Sequence, residues 1–218
     1  MRVLALDTAT AATTTAVVDL SGTLQLQARD DPPSGARPNH ARAILGLVED
    51  VLHRTPDGWP AIDRIAVGVG PGSFVGLRIG VATAQGLARS QGKPLVAIST
   101  LASLAAGAAG AAAAGQSVLA VIDARRGEAF VGSETLAPRV LAPQALLELA
   151  AGTLAVGDGA IKFRDILESA GATVPEDADP LHRVSAAWHC RLAANAQPRP
   201  ISTIQPDYLR VPDAELKR

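Results

Sequence analysis

Cysteine and lysine are almost missing from this sequence. Cys190 stands alone, which excludes an internal disulfide and any cysteine-based zinc site. His189 precedes it, but neighbouring residues on a helix point about 100° apart and make a poor nucleophile–base pair. Lysine occurs only as Lys93, Lys162 and Lys217; the other basic residues are arginines, and with the heavy alanine content this usage reads as genome base composition rather than function. Neither sign of charge is in excess: a net charge of −1 gives no global electrostatic reason for affinity toward bare nucleic acid or membrane. No stretch reaches the ~20 apolar residues needed to span a bilayer, the Ala/Gly run at 105–115 being too short and too weakly hydrophobic. A secretory signal is not expected either, because Asp7 interrupts the first apolar run and no small-residue cleavage site follows. The expectation is a soluble, cytoplasmic protein with no membrane partner.

What is present is core material, since 48% of the residues are apolar, too many for a disordered chain. Its 218 residues fit one large domain or two small ones. Val3-Leu4-Ala5-Leu6-Asp7 is a short apolar run ending in a carboxylate. Thr13 to Leu20 and Thr23 to Ala28 read as a hairpin turning at Ser21-Gly22. Asn39 is placed to cap a helix from His40 to Leu52, where Ile44, Leu45, Val48, Val51 and Leu52 recur at helical spacing. Ile65 to Val69 reads as a buried strand, Phe74 to about Arg89 as a helix, Leu95 to Ile98 as a strand, and a helix follows from Thr100. The pattern then restarts. Val118 to Asp123 repeats the opening strand and its terminal Asp, Glu128 to Ser133 is a β segment, and Pro143 to Ala150 reads as a helix. Leu154-Ala155-Val156-Gly157-Asp158-Gly159 answers Ile65-Ala66-Val67-Gly68-Val69-Gly70. Two matches in the same order favour an internal duplication, with lobes at 1–101 and 102–218 and a tail after 206 that can return to the first lobe.

Duplicated strand–Asp units suggest the α/β, two-lobed actin-like (ribonuclease-H-like) fold, in which strand-end carboxylates meet a metal–nucleotide. Asp7 and Asp123 are the candidates, with the turns at Thr8 to Thr10 and Gly157 to Gly159 as places where backbone N–H groups could cradle phosphate. Strand-ending aspartates with no ligand fit the same residues equally well. Gly70 to Gly80 resembles a phosphate loop but lacks the Lys-Ser/Thr of a Walker motif and the third glycine of a dinucleotide fingerprint. Ser73 can cap the following helix, where a weak anion site remains open. Gly76, Gly80, Ala84 and Ala88 recur every four residues. Interior helical glycine costs ~1 kcal/mol relative to alanine, so close approach of another backbone is expected there, from the chain's own sheet or from a second chain. Metal binding is not expected: the position four after His40 is Ile44, and His182 and His189 lack a carboxylate pair in register. Asp123-Ala124-Arg125-Arg126-Gly127-Glu128 is a charged cluster that fits a solvated turn or a contact to a partner's RNA.

Leu4-Ala5-Leu6-Asp7-Thr8-Ala9-Thr10, Gly70-Pro71-Gly72-Ser73-Phe74-Val75-Gly76-Leu77-Arg78-Ile79-Gly80, Ile98-Ser99-Thr100-Leu101, Ile122-Asp123-Ala124-Arg125-Arg126 and Pro206-Asp207-Tyr208-Leu209-Arg210 together resemble the TsaB (YeaZ) family over nearly the whole chain. Val75 stands where the family more often has Thr, and Phe130 where Tyr is common. The resemblance implies a non-catalytic subunit in the formation of threonylcarbamoyladenosine (t6A) beside the tRNA anticodon. It implies dimerisation with the catalytic paralogue TsaD, or with a second copy, through the helices at 40–52 and 74–89. The interface residues would be His40, Ile44, Leu47, Val48, Val51, Val75, Gly76, Ile79, Gly80, Thr83, Ala84 and Leu87. It further implies that the ATPase TsaE joins the assembly, that TsaC supplies threonylcarbamoyl-adenylate, and that tRNA is met through the complex. No cofactor or catalytic residue is expected in this chain, leaving Asp7, Thr8, Asp123, Gly157 and Gly159 as a degenerate cleft. The competing expectation is an active actin-like phosphotransferase or ATPase using Asp7 and Asp123. A protease is disfavoured, since no Ser-His-Asp, Cys-His or His-Glu-x-x-His arrangement is visible.

Overall fold

A computed structural model describes residues 1–33, 36–133 and 135–210. In chain order the regular elements are β1 (Arg2–Asp7), β2 (Thr13–Asp19), β3 (Gln25–Asp30), α1 (His40–His53), β4 (Arg64–Gly70), α2 (Phe74–Gln91), β5 (Leu95–Ser99) and α3 (Thr100–Ala108). There follow β6 (Ser117–Arg125), β7 (Glu128–Gly132), β8 (Arg139–Leu141), α4 (Leu147–Ala150), β9 (Thr153–Val156), α5 (Asp158–Lys162), α6 (Arg164–Ser169) and α7 (Ala186–Leu192). Two sheets result. The first runs β3-β2-β1-β4-β5 and the second β8-β7-β6-β9. In each, an antiparallel three-strand meander is extended by a parallel partner on its first strand, β4 on β1 and β9 on β6. The repeat seen in the sequence is therefore a repeat of topology, and the fold is a duplicated actin-like α/β fold.

Strand alternation builds the first core. Leu4, Leu6, Val17, Ile65 and Val67 point to one face, where α1 and α2 cover them with Ile44, Val48, Val51, Val81 and Ala84. Val3, Ala5, Ala16, Val18 and Ala66 point to the other, against Ala186, Ala187, Cys190 and Ala193 of α7 and its C-terminal end. The period-2 alternation of a strand covered on both faces explains why these segments read as continuous apolar runs. In the second sheet Leu119, Val121, Ala129 and Val131 pack against Leu146, Ala150, Phe163 and Leu167. Its opposite face, Ala120, Ile122, Phe130 and Val156, meets Leu101, Leu104 and Ala108 of α3.

Several boundaries differ from the sequence expectation. Residues Ser185–Asp207 belong to the first compact unit with Met1–Thr100, and the second comprises Leu101–Val184 and the described residues from Tyr208. A single cut after 101 is thus replaced by a return of the chain. The physical reason is the α7 packing just described, reinforced by Arg64 Nη1, which donates to the Ala193 and Ala196 carbonyls at 2.7 and 3.1 Å. Gln85 Nε2 likewise donates to the carbonyls of Ile201 and Ile204. The expected return of the tail holds only as far as Asp207, whose N–H donates to the Val69 carbonyl; Leu209 packs in the second unit, and 211–218 lie outside the described residues. The strand expected over Leu154–Gly159 stops at Val156, because Gly157 has φ of 112° and Asp158 already opens α5. Pro143 to Ala150 is a 3₁₀ turn followed by one turn of α-helix. Asn39 holds the N-cap position of α1 but makes no side-chain capping bond, its carbonyl accepting from Arg42 and Ala43 instead. Ser73 does cap α2, its Oγ accepting from the Gly76 N–H at 3.3 Å.

Candidate functional site

Asp7 ends β1 inside the first unit, only 1% exposed. Its carboxylate accepts two hydrogen bonds, from the Ala9 N–H at 2.7 Å and from the Thr100 hydroxyl at 2.7 Å, and His189 Nε2 lies 2.9 Å from its Oδ2 as an ion-pair contact. His189 comes from α7 and is fully buried, with Nδ1 3.2 Å from the Ser185 carbonyl. Burial by itself drives the Asp7 carboxyl upward, but the His189 bond and charge, with the Ala9 and Thr100 donors, hold it below its ordinary 3.8. Gly68 on β4 makes the room: a Cβ there would lie 1.8 Å from Asp7 Oδ2 and 2.9 Å from His189 Nε2. Cys190 faces away from this pair, its thiol donating to the Val3 carbonyl at 3.2 Å. Burial pushes that thiol far up its scale, so it is inert.

The turn after Asp7 packs under α2. Thr8 Oγ1 donates to the Gly76 carbonyl at 2.7 Å, and the Ser73 N–H donates to the Ala9 carbonyl at 2.7 Å. A Cβ on Gly76 would lie 2.0 Å from the Thr8 carbonyl oxygen, one on Gly80 2.3 Å from Thr8 Oγ1, and one on Gly72 2.3 Å from the Ala9 oxygen. The close backbone approach required by the small-residue stripe is therefore made by the chain's own Thr8–Ala9 turn. Thr8 is fully buried, and the carbonyls of this turn, rather than its amides, face the helix.

This geometry corrects part of the expected partner surface. Gly76, Gly80 and Ala84 face inward, as do Ile44, Val48 and Val51, all buried in the first core. His40 is buried too, its Nδ1 2.9 Å from Thr13 Oγ1 and its Nε2 without a hydrogen-bond partner among the described residues. Burial lowers its pKa below 6.5, against the opposing pull of Asp7 and Asp30. The residues that do reach solvent are Val75, 64% exposed, and the half-buried Leu47, Ile79, Thr83 and Leu87. Leu45, absent from the expected set, is 56% exposed. Two further glycines share these helices: Gly46 on α1 and Gly86 on α2, where an added Cβ would meet none of the described residues within 4 Å.

In the second unit the corresponding carboxylate has different company. Asp123 Oδ1 accepts from the Arg125 N–H at 2.9 Å and from Lys162 Nζ at 2.7 Å, while its own N–H donates to Asp158 Oδ1 at 3.0 Å. Beyond it the chain turns sharply. Arg125 pairs with Glu128 across the β6–β7 hairpin after a register shift, so Arg126-Gly127 is a two-residue connection. Arg125, Arg126 and Gly127 have φ of 64°, 51° and 78°. Positive φ suits the hairpin turn but costs a non-glycine residue about 1 kcal/mol or more. Gly157 and Gly159 sit against β6, with Cβ positions 2.1 Å from the Val121 oxygen and 2.7 Å from the Ile122 carbonyl carbon. The Gly157 N–H donates to His182 Nδ1 at 3.1 Å, and His182 Nε2 lies 3.1 Å from the Pro175 carbonyl. Among the described residues no cluster of three or more His, Cys, Asp or Glu could hold a metal, and no helix is long and apolar enough to cross a membrane.

The family profile of TsaD, tRNA N6-adenosine threonylcarbamoyltransferase, matches residues 32–179. The tRNA threonylcarbamoyladenosine biosynthesis protein TsaB of Escherichia coli is 38% identical over 130 residues, 60% of this chain and 53% of that protein. The crystallised YeaZ of Pseudomonas aeruginosa superposes with a TM-score of 0.74 at 26% identity, over 95% of this chain and 99% of the other. The chain belongs to the TsaD family, on its TsaB (YeaZ) branch. The tRNA N6-adenosine threonylcarbamoyltransferase of Rhizobium leguminosarum, a more distant relative, is 38% identical over 69 residues, 32% of this chain and 19% of that enzyme. The chain spans about half the length, or less, of the curated relatives it matches.

In this TsaB-branch chain, sequence reasoning missed His189 and Gly68 as partners of Asp7, and Gly46, Gly86 and Leu45 on the outer helix surface. Gly68 carried a usable signal, since it recurs as Gly157 in the second half. Gly46 and Gly86 carried another, because each interrupts a helix where alanine would be favoured.

Proposed function

We propose that this chain is the non-catalytic TsaB-type subunit for t6A formation at the adenosine 3′ to the tRNA anticodon. It acts in the cytoplasm, binding and activating a TsaD-like catalytic paralogue through the outer faces of α1 and α2. A TsaE-like ATPase joins the assembly, which uses the threonylcarbamoyl-adenylate made by TsaC and meets tRNA as a complex. The observation that carries the reading is the pair Gly46 and Gly86. Each weakens its helix by about 1 kcal/mol relative to alanine, and none of the described residues occupies the space gained. They share their helices with Leu45 and Val75, both large, apolar and more than half exposed. Missing Cβ atoms on helices that also expose apolar side chains suit the close approach of a partner helix. A second copy of the chain fits the same surface when the paralogue is absent.

A non-catalytic role is supported by Asp7. The carboxylate that the fold would offer to a metal–nucleotide is buried, accepts from Ala9 and Thr100 and is in ion-pair contact with His189. Calorimetry of the isolated chain with millimolar Mg-ATP is expected to give no binding heat. A binding heat that disappears in Asp7→Asn would reinstate the phosphotransferase reading. For the interface, Gly86→Leu and Val75→Arg are expected to leave the fold intact and to abolish co-purification with the paralogue. Unchanged co-purification and tRNA modification by both variants would overturn it.

A further inference from the structure

We propose that the hairpin tip at Arg125 and Arg126 is a contact for the phosphate backbone of RNA, so that tRNA is touched by this chain and not by its catalytic paralogue alone. The inference rests on the tRNA-modification reading above and names a partner for a region that reading leaves without a role. The tip is made of residues that its backbone does not favour. At φ of 64° and 51° asparagine, aspartate or glycine is the ordinary choice, and the chain places two arginines there. Residues held against such preferences collect at ligand contacts.

The base of the tip is fixed. Asp123 accepts from the Arg125 N–H, Lys162 holds the same carboxylate oxygen, and Asp158 accepts from the Asp123 N–H. Arg210 pairs with Glu128 on the strand that leaves the turn and donates to the Ala124 carbonyl at 2.9 Å. Charge is displayed from an anchored platform, which reduces the ordering that binding requires. The Arg125 side chain is 79% exposed, and its 3.5 Å pairing with Asp123 is a solvent-screened one that a ligand can replace. Arg125, Arg126, Lys162 and Arg210 gather at or beside the turn, with Asp123, Glu128 and Asp158 as the carboxylates that hold it among the described residues.

Guanidinium forks bind phosphate oxygens in bidentate fashion. The exposed residues Arg125-Arg126-Gly127 include no large apolar side chain of the kind that anchors protein–protein contacts. A carboxylate takes the same fork, so it is the missing apolar anchor that favours RNA over an acidic protein face.

The double variant Arg125→Asn/Arg126→Asn removes both charges while suiting positive φ, so the fold is preserved. Binding of an unmodified tRNA transcript is measured by fluorescence anisotropy across a salt series, for the chain alone and for its assembly with the paralogue. Co-purification with the paralogue is scored separately. The expected result is affinity weakened roughly tenfold near 0.1 M salt, with the log–log salt slope reduced by roughly 1.5, and assembly unchanged. Unaltered RNA affinity and slope would overturn the proposal. Lost assembly at unaltered RNA affinity would overturn it too, assigning the tip to an acidic protein surface. If the wild-type chain and paralogue fail to assemble, the functional reading fails, while the comparison of the two chains alone on tRNA still decides this one.

Discussion

Asp7, at the end of β1, and Asp123, two residues before the end of β6, hold corresponding places in two sheets that share a meander and a parallel fourth strand. Each accepts from the N–H two residues on; beyond that their surroundings differ. Asp7 is sealed, with partners arriving from its own turn, from the start of α3 and from α7. Asp123 keeps partners that solvent reaches, Lys162 with a side chain 40% exposed and Arg125. One histidine from each unit follows the same division, His189 on the Asp7 carboxylate and His182 on the Gly157 amide. Duplication copied the order of strands; the environment of each strand end was set by what the later chain brought back to it.

The largest expected effect tests the sealed side. Asp7→Ala leaves His189 and the Thr100 hydroxyl buried without their carboxylate partner, and about 3–5 kcal/mol of stability is expected to be lost in urea denaturation. Gly68→Ala comes next, since its methyl group would overlap Asp7 Oδ2. Overpacking of that kind costs about 1–3 kcal/mol, and a Gly68→Ala chain as stable as wild type would show that the pair has room to move. The pH dependence is a property of the first unit, which holds both shifted groups. Asp7 is held below 3.8, so its contribution is complete above that pH and is lost as pH falls through the lower folded value. His40 is held below 6.5; it therefore favours folding fully above 6.5 and loses that contribution as pH falls toward its folded value. Denaturation between pH 2 and 8 is expected to show both declines, with Asp7→Asn removing the more acidic one. The smallest effect belongs to the second unit, where Asp123→Ala loses exposed pairs and one turn hydrogen bond, about 1 kcal/mol. An equal loss from Asp7→Ala and Asp123→Ala would erase the contrast.

Much of this was legible because it is local. The strand–Asp repeats, the Ser73 cap and the helices starting at His40 and Phe74 follow from spacing and turn chemistry within a few residues. The Gly76/Gly80 stripe announced a close backbone contact and its side of α2, but no pattern along the helix says that the backbone it meets is the chain's own Thr8–Ala9 turn. The Asp7–His189 pair joins residues at opposite ends of the sequence, and neither neighbourhood carries a trace of the other. The membership of 185–207 was hidden for the same reason. Small side chains such as Ala186, Ala187 and Ala193 pack on Ala5, Ala16 and Ala66 without an apolar signature distinct from the alanine-rich background.

The return of the chain has a consequence for synthesis. During translation the first hundred residues leave the ribosome with one face of their sheet, Val3, Ala5, Ala16 and Ala66, still uncovered, because α7 is made about ninety residues later. The second unit is almost wholly contiguous and can close meanwhile, whereas the first must wait with apolar surface and an unpaired Asp7 until His189 emerges. Nascent-chain collapse, chaperone capture and the effect of premature termination should all change at the residues where α7 clears the exit tunnel.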